Sequence, residues 1–249
     1  MARTYQLVFY YLWIAPHLLL VSVTAVLFGR RLYKKFPVFF AYTVYELVEF
    51  LALFSAYKLT HGLGAIYRYI FIATLVGSTA LALAILQELF ADAFRDYPSL
   101  ETVSRAFIRC IVVGLIFAAI ASTFYYSGPD SVLARVELLA RGVTIIQSGL
   151  LLSLFLFSRF FGLSWRSYTF GIALGFAIFG SAQLLTWTLG LTAVSEHSKE
   201  LVDLVPMGSY HISVLVWVGY MLAAEKPVAA VAPYIHELDR WSGELERTR

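Results

Sequence analysis

Apolar residues along this chain fall into seven long runs separated by short polar connectors, at about 7–29, 37–57, 66–90, 107–125, 138–161, 168–191 and 201–224. A hydrocarbon core about 30 Å thick takes roughly 20 residues of helix to cross, and every run reaches or approaches that length. Lipid offers no partner to an open N–H or C=O, so each run is expected to be helical. The breakers lie between the runs. Ser127-Gly128-Pro129-Asp130 reads as a turn, and Pro98-Ser99 starts a short helix in the third connector. The pattern predicts an all-α membrane protein, a seven-transmembrane helix bundle over residues 1–226 with a short tail at 227–249.

Composition sharpens the class. Of 249 residues, 60% are hydrophobic and 14% charged, against roughly 25% charged in ordinary soluble domains. A net charge of +3 without a long basic run argues against a nucleic-acid partner. The partner implied is the bilayer itself. Cys110 is the single cysteine, so no intramolecular disulfide can form.

The basic residues give a direction. One side would hold Arg30, Arg31, Lys34, Lys35, Arg95, Arg105, Arg109, Arg159, Arg166, Lys226, Arg240, Arg247 and Arg249. The other would hold Arg3, Lys58, Arg68, Arg135, Arg141 and Lys199. The richer side is expected to be cytoplasmic, which places the N-terminus outside and the C-terminus in the cytoplasm. The first run is too long for a signal-peptide core of 7–15 residues, and its basic cluster follows it, so it reads as a retained anchor.

Polar residues inside the runs carry the candidate chemistry. A charge at mid-bilayer costs about 2.5–3.5 kcal/mol on insertion scales, so those that persist usually face the bundle interior with a partner. His17 lies near the middle of the first run, Glu46 and Glu49 in the second, Gln147 in the fifth and His211 in the seventh. Arg141 lies in the outer turns of the fifth run and Gln183 in the outer half of the sixth. Glu46 and Glu49 are three apart and share a helix face. Two ionised carboxylates that close repel in a low dielectric, so the pair needs a proton or a cation. A Glu49–Arg141 pair is expected, leaving Glu46 to bond a histidine, a hydroxyl or Gln147. Three readings stay open for this set: a structural hydrogen-bond network, a ligand-binding or switch site, and a zinc or haem site at His17 and His211.

Pro16 and Pro206 stand beside the two histidines, where loss of a backbone donor kinks a helix. Small residues at helical spacing (Gly171 and Gly175, Ala73 and Gly77, Gly114 with Ala118 and Ser122) let backbones approach closely, within the bundle or across a homo-oligomer seam. Trp187 and Trp217 sit deep enough to line a pocket. In the tail, Ile235, Leu238, Trp241 and Leu245 recur at helical spacing. Segment 234–246 therefore reads as an amphipathic surface helix, or as a docking helix for a membrane or cytoplasmic protein partner.

No Walker loop, His-Glu-x-x-His or Gly-x-Ser-x-Gly occurs in the chain. A retinal protein needs a lysine deep in the last span, and Lys226 lies beyond it. Phe160-Phe161-Gly162-Leu163-Ser164-Trp165-Arg166, continuing through Phe170-Gly171-Ile172-Ala173-Leu174-Gly175-Phe176, resembles a family of bacterial seven-transmembrane-helix proteins common in acidobacteria, for which no function is known. Phe39-Phe40-Ala41-Tyr42, Glu46-Leu47 and Tyr97-Pro98 fit the same pattern, over most of the chain. The resemblance implies a multi-pass protein of the bacterial inner membrane. With no catalytic motif, the chain is expected to act as a sensory or ligand-binding module or an accessory subunit of a membrane assembly. The alternative is a proton-coupled transporter using Glu46 or Glu49, and the third option is a metal- or haem-binding membrane enzyme.

Overall fold

Apolar runs become continuous helices wherever the chain is described. The computed structural model describes residues 2–59, 65–95, 131–157, 166–190 and 196–223, together with the helical positions 109, 110, 113, 114 and 117. Six helices result: α1 (Ala2–Gly29), α2 (Pro37–Leu59), α3 (Ala65–Ala93), α4 (Ser131–Phe157), α5 (Tyr168–Gly190) and α6 (Glu196–Leu222). All six contain a stretch long and apolar enough to cross a membrane. Most of the expected fourth span, 107–125, and the tail from 227 onward lie outside the described residues.

Three helices start five or more residues ahead of the apolar runs that announced them, α1 at Ala2 where 7 was expected and two more further along the chain. α4 begins at Ser131 and α6 at Glu196, ahead of the expected 138 and 201. Their extra turns carry Arg135 and Glu137, or Glu196, Lys199 and Glu200. Hydropathy marks the part of a helix that lies in lipid, whereas the backbone bonds run on into the polar zone. Pro16 and Pro206 are accommodated inside α1 and α6 without ending either.

The described helices form a ring in which α1 packs on α2 and α6, α2 on α3, α3 on α4, α4 on α5, and α5 on α6. The closest approach is between α5 and α6. A Cβ added at Gly175 would stand 2.1 Å from Trp217 Nε1, and one at Gly171 would stand 2.2 Å from Tyr220 Cγ. These two glycines therefore serve packing within the bundle, letting aromatic rings of α6 lie on the α5 backbone. Gly77 receives the Tyr45 ring in the same way, and the Tyr45 hydroxyl donates to the Thr74 carbonyl at 2.9 Å. Among the described residues nothing lies within 4 Å of a Cβ built at Gly114.

One end of the ring is filled. Trp217 is 1% exposed and packs against Phe39 (5.3 Å between centroids), Phe176 (5.0 Å) and Tyr42 (6.1 Å). Its Nε1–H donates to the Ile172 carbonyl at 3.2 Å, which a buried indole needs. Leu27, Phe36, Ile85, Leu89 and Met221 complete this core.

Charged groups seal the same end by satisfying helix termini. Glu88 of α3 accepts from the first free N–H groups of α2, Val38 N at 2.7 Å and Phe39 N at 2.9 Å, where the helix dipole favours a negative group. Arg30 does the converse at the end of α6, donating to the carbonyls of Met221 (2.8 Å), Leu222 (3.0 Å) and Ala223 (3.2 Å). Tyr168 also donates to Ala223 O at 3.2 Å. Asp92 accepts from the Thr169 hydroxyl and pairs with Arg95 (3.0 Å) and Lys35 (3.8 Å). The chain enters α2 through a tight 3-10 turn, Leu32–Lys34, that holds Arg31 in the left-handed region at φ 57°.

Asp92, near the end of α3, thus meets Thr169 at the start of α5. Phe155, near the end of α4, packs on Phe170 with centroids 5.0 Å apart. The last turns of α3 and α4 therefore lie at the same end of the ring, and α4 starts at the opposite one.

Candidate functional site

Above the aromatic plug the ring is hollow. A cavity of about 460 Å³ is lined by residues of all six described helices, a size within the range of small-molecule sites. Its polar lining is His17 from α1, Tyr42, Glu46 and Glu49 from α2, Ser78 and Thr79 from α3, Thr144 and Gln147 from α4, Gln183 from α5 and Tyr210 from α6. Its aromatic lining comes from Trp13, Phe176, Phe179 and Trp187.

Each polar group is positioned by its own helix. The Nδ1 of His17 lies 2.7 Å from the Trp13 carbonyl one turn back. A carbonyl only accepts, so Nδ1 carries the proton and Nε2 is the acceptor of the neutral ring. That ring stacks on Phe50 at 4.2 Å and 18°, which fixes its plane. The Tyr210 hydroxyl donates to Glu46 Oε2 at 3.4 Å, and Tyr42, one turn earlier on α2, offers it a second hydroxyl. Glu49 lies one turn further from the plug, against Thr74. Its Oε2 is buried and has no hydrogen-bond partner among the described residues.

Four of the six expected residues meet at this cavity: His17, Glu46, Glu49 and Gln147. Gln147 is 7% exposed. The other two point elsewhere. Arg141 is exposed and sits over the Trp187 ring at 5.4 Å. The expected Glu49–Arg141 pair is absent among the described residues, because Arg141 lies about a third of a turn round α4 from Ala140, which lines the wall. His211 is displaced for the same reason. Its neighbour Tyr210 faces the cavity, while the His211 ring lies 5.6 Å from Tyr11, its buried Nδ1 without a partner among the described residues. The two histidines therefore do not share the cavity. Among the described residues no three His, Cys, Asp or Glu side chains come together as a metal set.

Tyr42 and Tyr210 are the site residues that sequence reasoning passed over. Tyr42 carried a signal, since it precedes Glu46 by four residues and lies on the same face. Trp187, one of two deep tryptophans, lines the wall; Trp217, the other, is part of the plug.

The comparisons with known proteins add no relative. No family model, no curated protein and no solved structure matches this chain.

Proposed function

We propose that this chain is a seven-span protein of the bacterial inner membrane that binds a small ligand between its helices, acting as a sensory or ligand-binding module or as an accessory subunit of a membrane assembly. The observation that carries the ligand reading is the cavity at membrane depth, where polar side chains of every described helix converge on unfilled space. Groups that only fixed helix order would bond one another. Here Glu49 Oε2 has no partner among the described residues, and desolvating such a group is costly without compensation.

The seventh crossing draws support from the end of α3 and the start of α4. They belong to opposite ends of the ring, so the chain joining Arg95 to Ser131 has to pass from one to the other. The orientation draws support from Arg30, Lys35 and Arg95, which meet at the plugged end. The basic end is normally cytoplasmic, so the hollow end faces outward.

Accessibility of the cavity tests the reading. In a Cys110→Ser background, Thr79→Cys should react with a small methanethiosulfonate reagent in purified protein, while Leu89→Cys in the plug should not. Equal inertness at both positions would remove the cavity and the function built on it. Arg3→Cys and Glu237→Cys, probed with a membrane-impermeant maleimide on intact cells, test the direction: Arg3→Cys should label and Glu237→Cys should not.

Transport driven by protons is the second reading. It is favoured by the two carboxyl groups at membrane depth, which have no cationic partner among the described residues. Uptake into proteoliposomes that follows a pH gradient and is lost in Glu46→Gln would establish it.

A further inference from the structure

We propose that the cavity takes a protonated amine, an organic ammonium with N–H donors and an apolar substituent, held by Glu49 and Glu46 against the aromatic wall. This rests on the ligand-binding reading and deepens it by naming the class of ligand.

The lining is unbalanced in one direction. It contains two carboxyl groups and the Nε2 acceptor of His17, while no Lys or Arg lines it among the described residues. Tyr42 and Tyr210 serve Glu46. Glu49 has Thr74 beside it, but its Oε2 is buried with no donor among the described residues. What the site lacks is a positive charge that brings N–H groups of its own, because a charge-assisted bond to a carboxylate is the strong kind.

The walls suit the same guest. Trp13, Phe179, Trp187 and Tyr210 surround the carboxyl groups, and aromatic faces attract a cation within about 6 Å of the ring centroid. One wall residue already meets a cation from outside the lining: the exposed Arg141 guanidinium lies 5.4 Å from the Trp187 ring. A volume of about 460 Å³ leaves room for an alkyl or arylalkyl group beside the ammonium. A bare metal ion fits less well, since no three metal-ligating side chains converge among the described residues.

The test uses the full chain, purified in a maltoside detergent, with intrinsic tryptophan fluorescence as the signal from Trp13 and Trp187. The probes are 2-phenylethylammonium, the neutral isostere 2-phenylethanol, and tetramethylammonium, which has the charge without N–H donors. Phenylethylammonium should bind saturably and roughly tenfold or more tightly than the alcohol, with tetramethylammonium weaker than phenylethylammonium. Glu49→Gln should lose roughly tenfold or more in ammonium affinity while its binding of the alcohol stays put. Glu88→Gln, which removes a carboxylate at the plugged end, should keep wild-type affinity. A melting curve on each variant separates lost binding from lost fold, and Glu46→Gln provides a second reading if Glu49→Gln fails to fold. Alcohol binding as tight as the ammonium, or ammonium affinity unchanged in both glutamate variants, would overturn the proposal. Tetramethylammonium binding as tight as phenylethylammonium would overturn the amine assignment. If Thr79→Cys is modified but the ammonium does not bind, the ligand class is wrong and the cavity reading survives. If Thr79→Cys is inert, both fall.

Discussion

Replacing Gly175 by alanine adds one methyl group where α5 lies directly against an α6 ring. The new Cβ would lie 2.1 Å from Trp217 Nε1, 2.6 Å from Cε2 and 2.8 Å from Cδ1. The indole cannot step aside cheaply, because Phe39, Phe176 and Tyr42 enclose it and its N–H is bonded to Ile172 O. Overpacking of this kind costs about 1–3 kcal/mol. Displacing the ring also strands a buried donor and acceptor, about 1–3 kcal/mol more. The sum is about 2–6 kcal/mol, which for a chain of this size lowers a melting temperature by roughly 4–24 °C. Gly149→Ala is the control, since no described residue lies within 4 Å of a Cβ built there, and removing a helical glycine gains roughly 0.5–1 kcal/mol. Melting in detergent, followed by far-ultraviolet circular dichroism, should therefore move in opposite directions for the two variants. In a Trp217→Ala background the added methyl at Gly175 should cost nothing, because the atoms it meets are gone. If Gly175→Ala melts at or above wild type, or costs the same with and without the indole, the packing argument is wrong.

The seal at the plugged end yields three more tests, all read by the same melting assay. Glu88→Gln keeps one acceptor for the two N–H groups of α2 and loses the charge at its dipole, so it should cost about 1–2 kcal/mol. Arg30→Lys should behave like Arg30→Ala, each losing about 1 kcal/mol, because a single ammonium cannot reproduce a guanidinium spread over three carbonyls. Asp92→Asn and Thr169→Val should be coupled by about 1 kcal/mol or more in a double-mutant cycle, and additive losses would mean that their hydrogen bond contributes nothing.

Much of the fold could be read from the chain, because crossing a bilayer demands a length of apolar residues and little else. Level along the helices was legible for the same reason: His17, Glu46, Glu49 and Gln147 were expected at a similar depth and line one cavity. Azimuth was the obstacle. In a helix apolar on every side, neighbouring positions differ by about 100°, and no polar face shows which of them points inward. That is why His211 was read as a site residue when Tyr210 faces the cavity, and why Arg141 was paired with Glu49 when Ala140 and Thr144 form the wall. Glu46 and Glu49 escaped the problem by being three apart, so one correct face brought both. The polar seal was harder still. Glu88 and Asp92, four apart in the last turns of α3, hint at a shared task. That they serve the ends of α2 and α5, and that Arg30 serves α6, follows only from which helix ends share one side of the ring.

A bundle pinned at one end and hollow at the other behaves mechanically as a clamp with its pivot at the base. The pivot is built from Trp217, Glu88 and Arg30, and rods turning about it travel furthest at their free tips. A guest that draws α2 and α5 together across the cavity is thus felt first at the ends of those helices away from the plug and least at Arg30. A partner that senses occupancy should accordingly sit against the tips at the hollow end or the lipid-facing flank. A readout at the plugged end would require the hinge itself to give way.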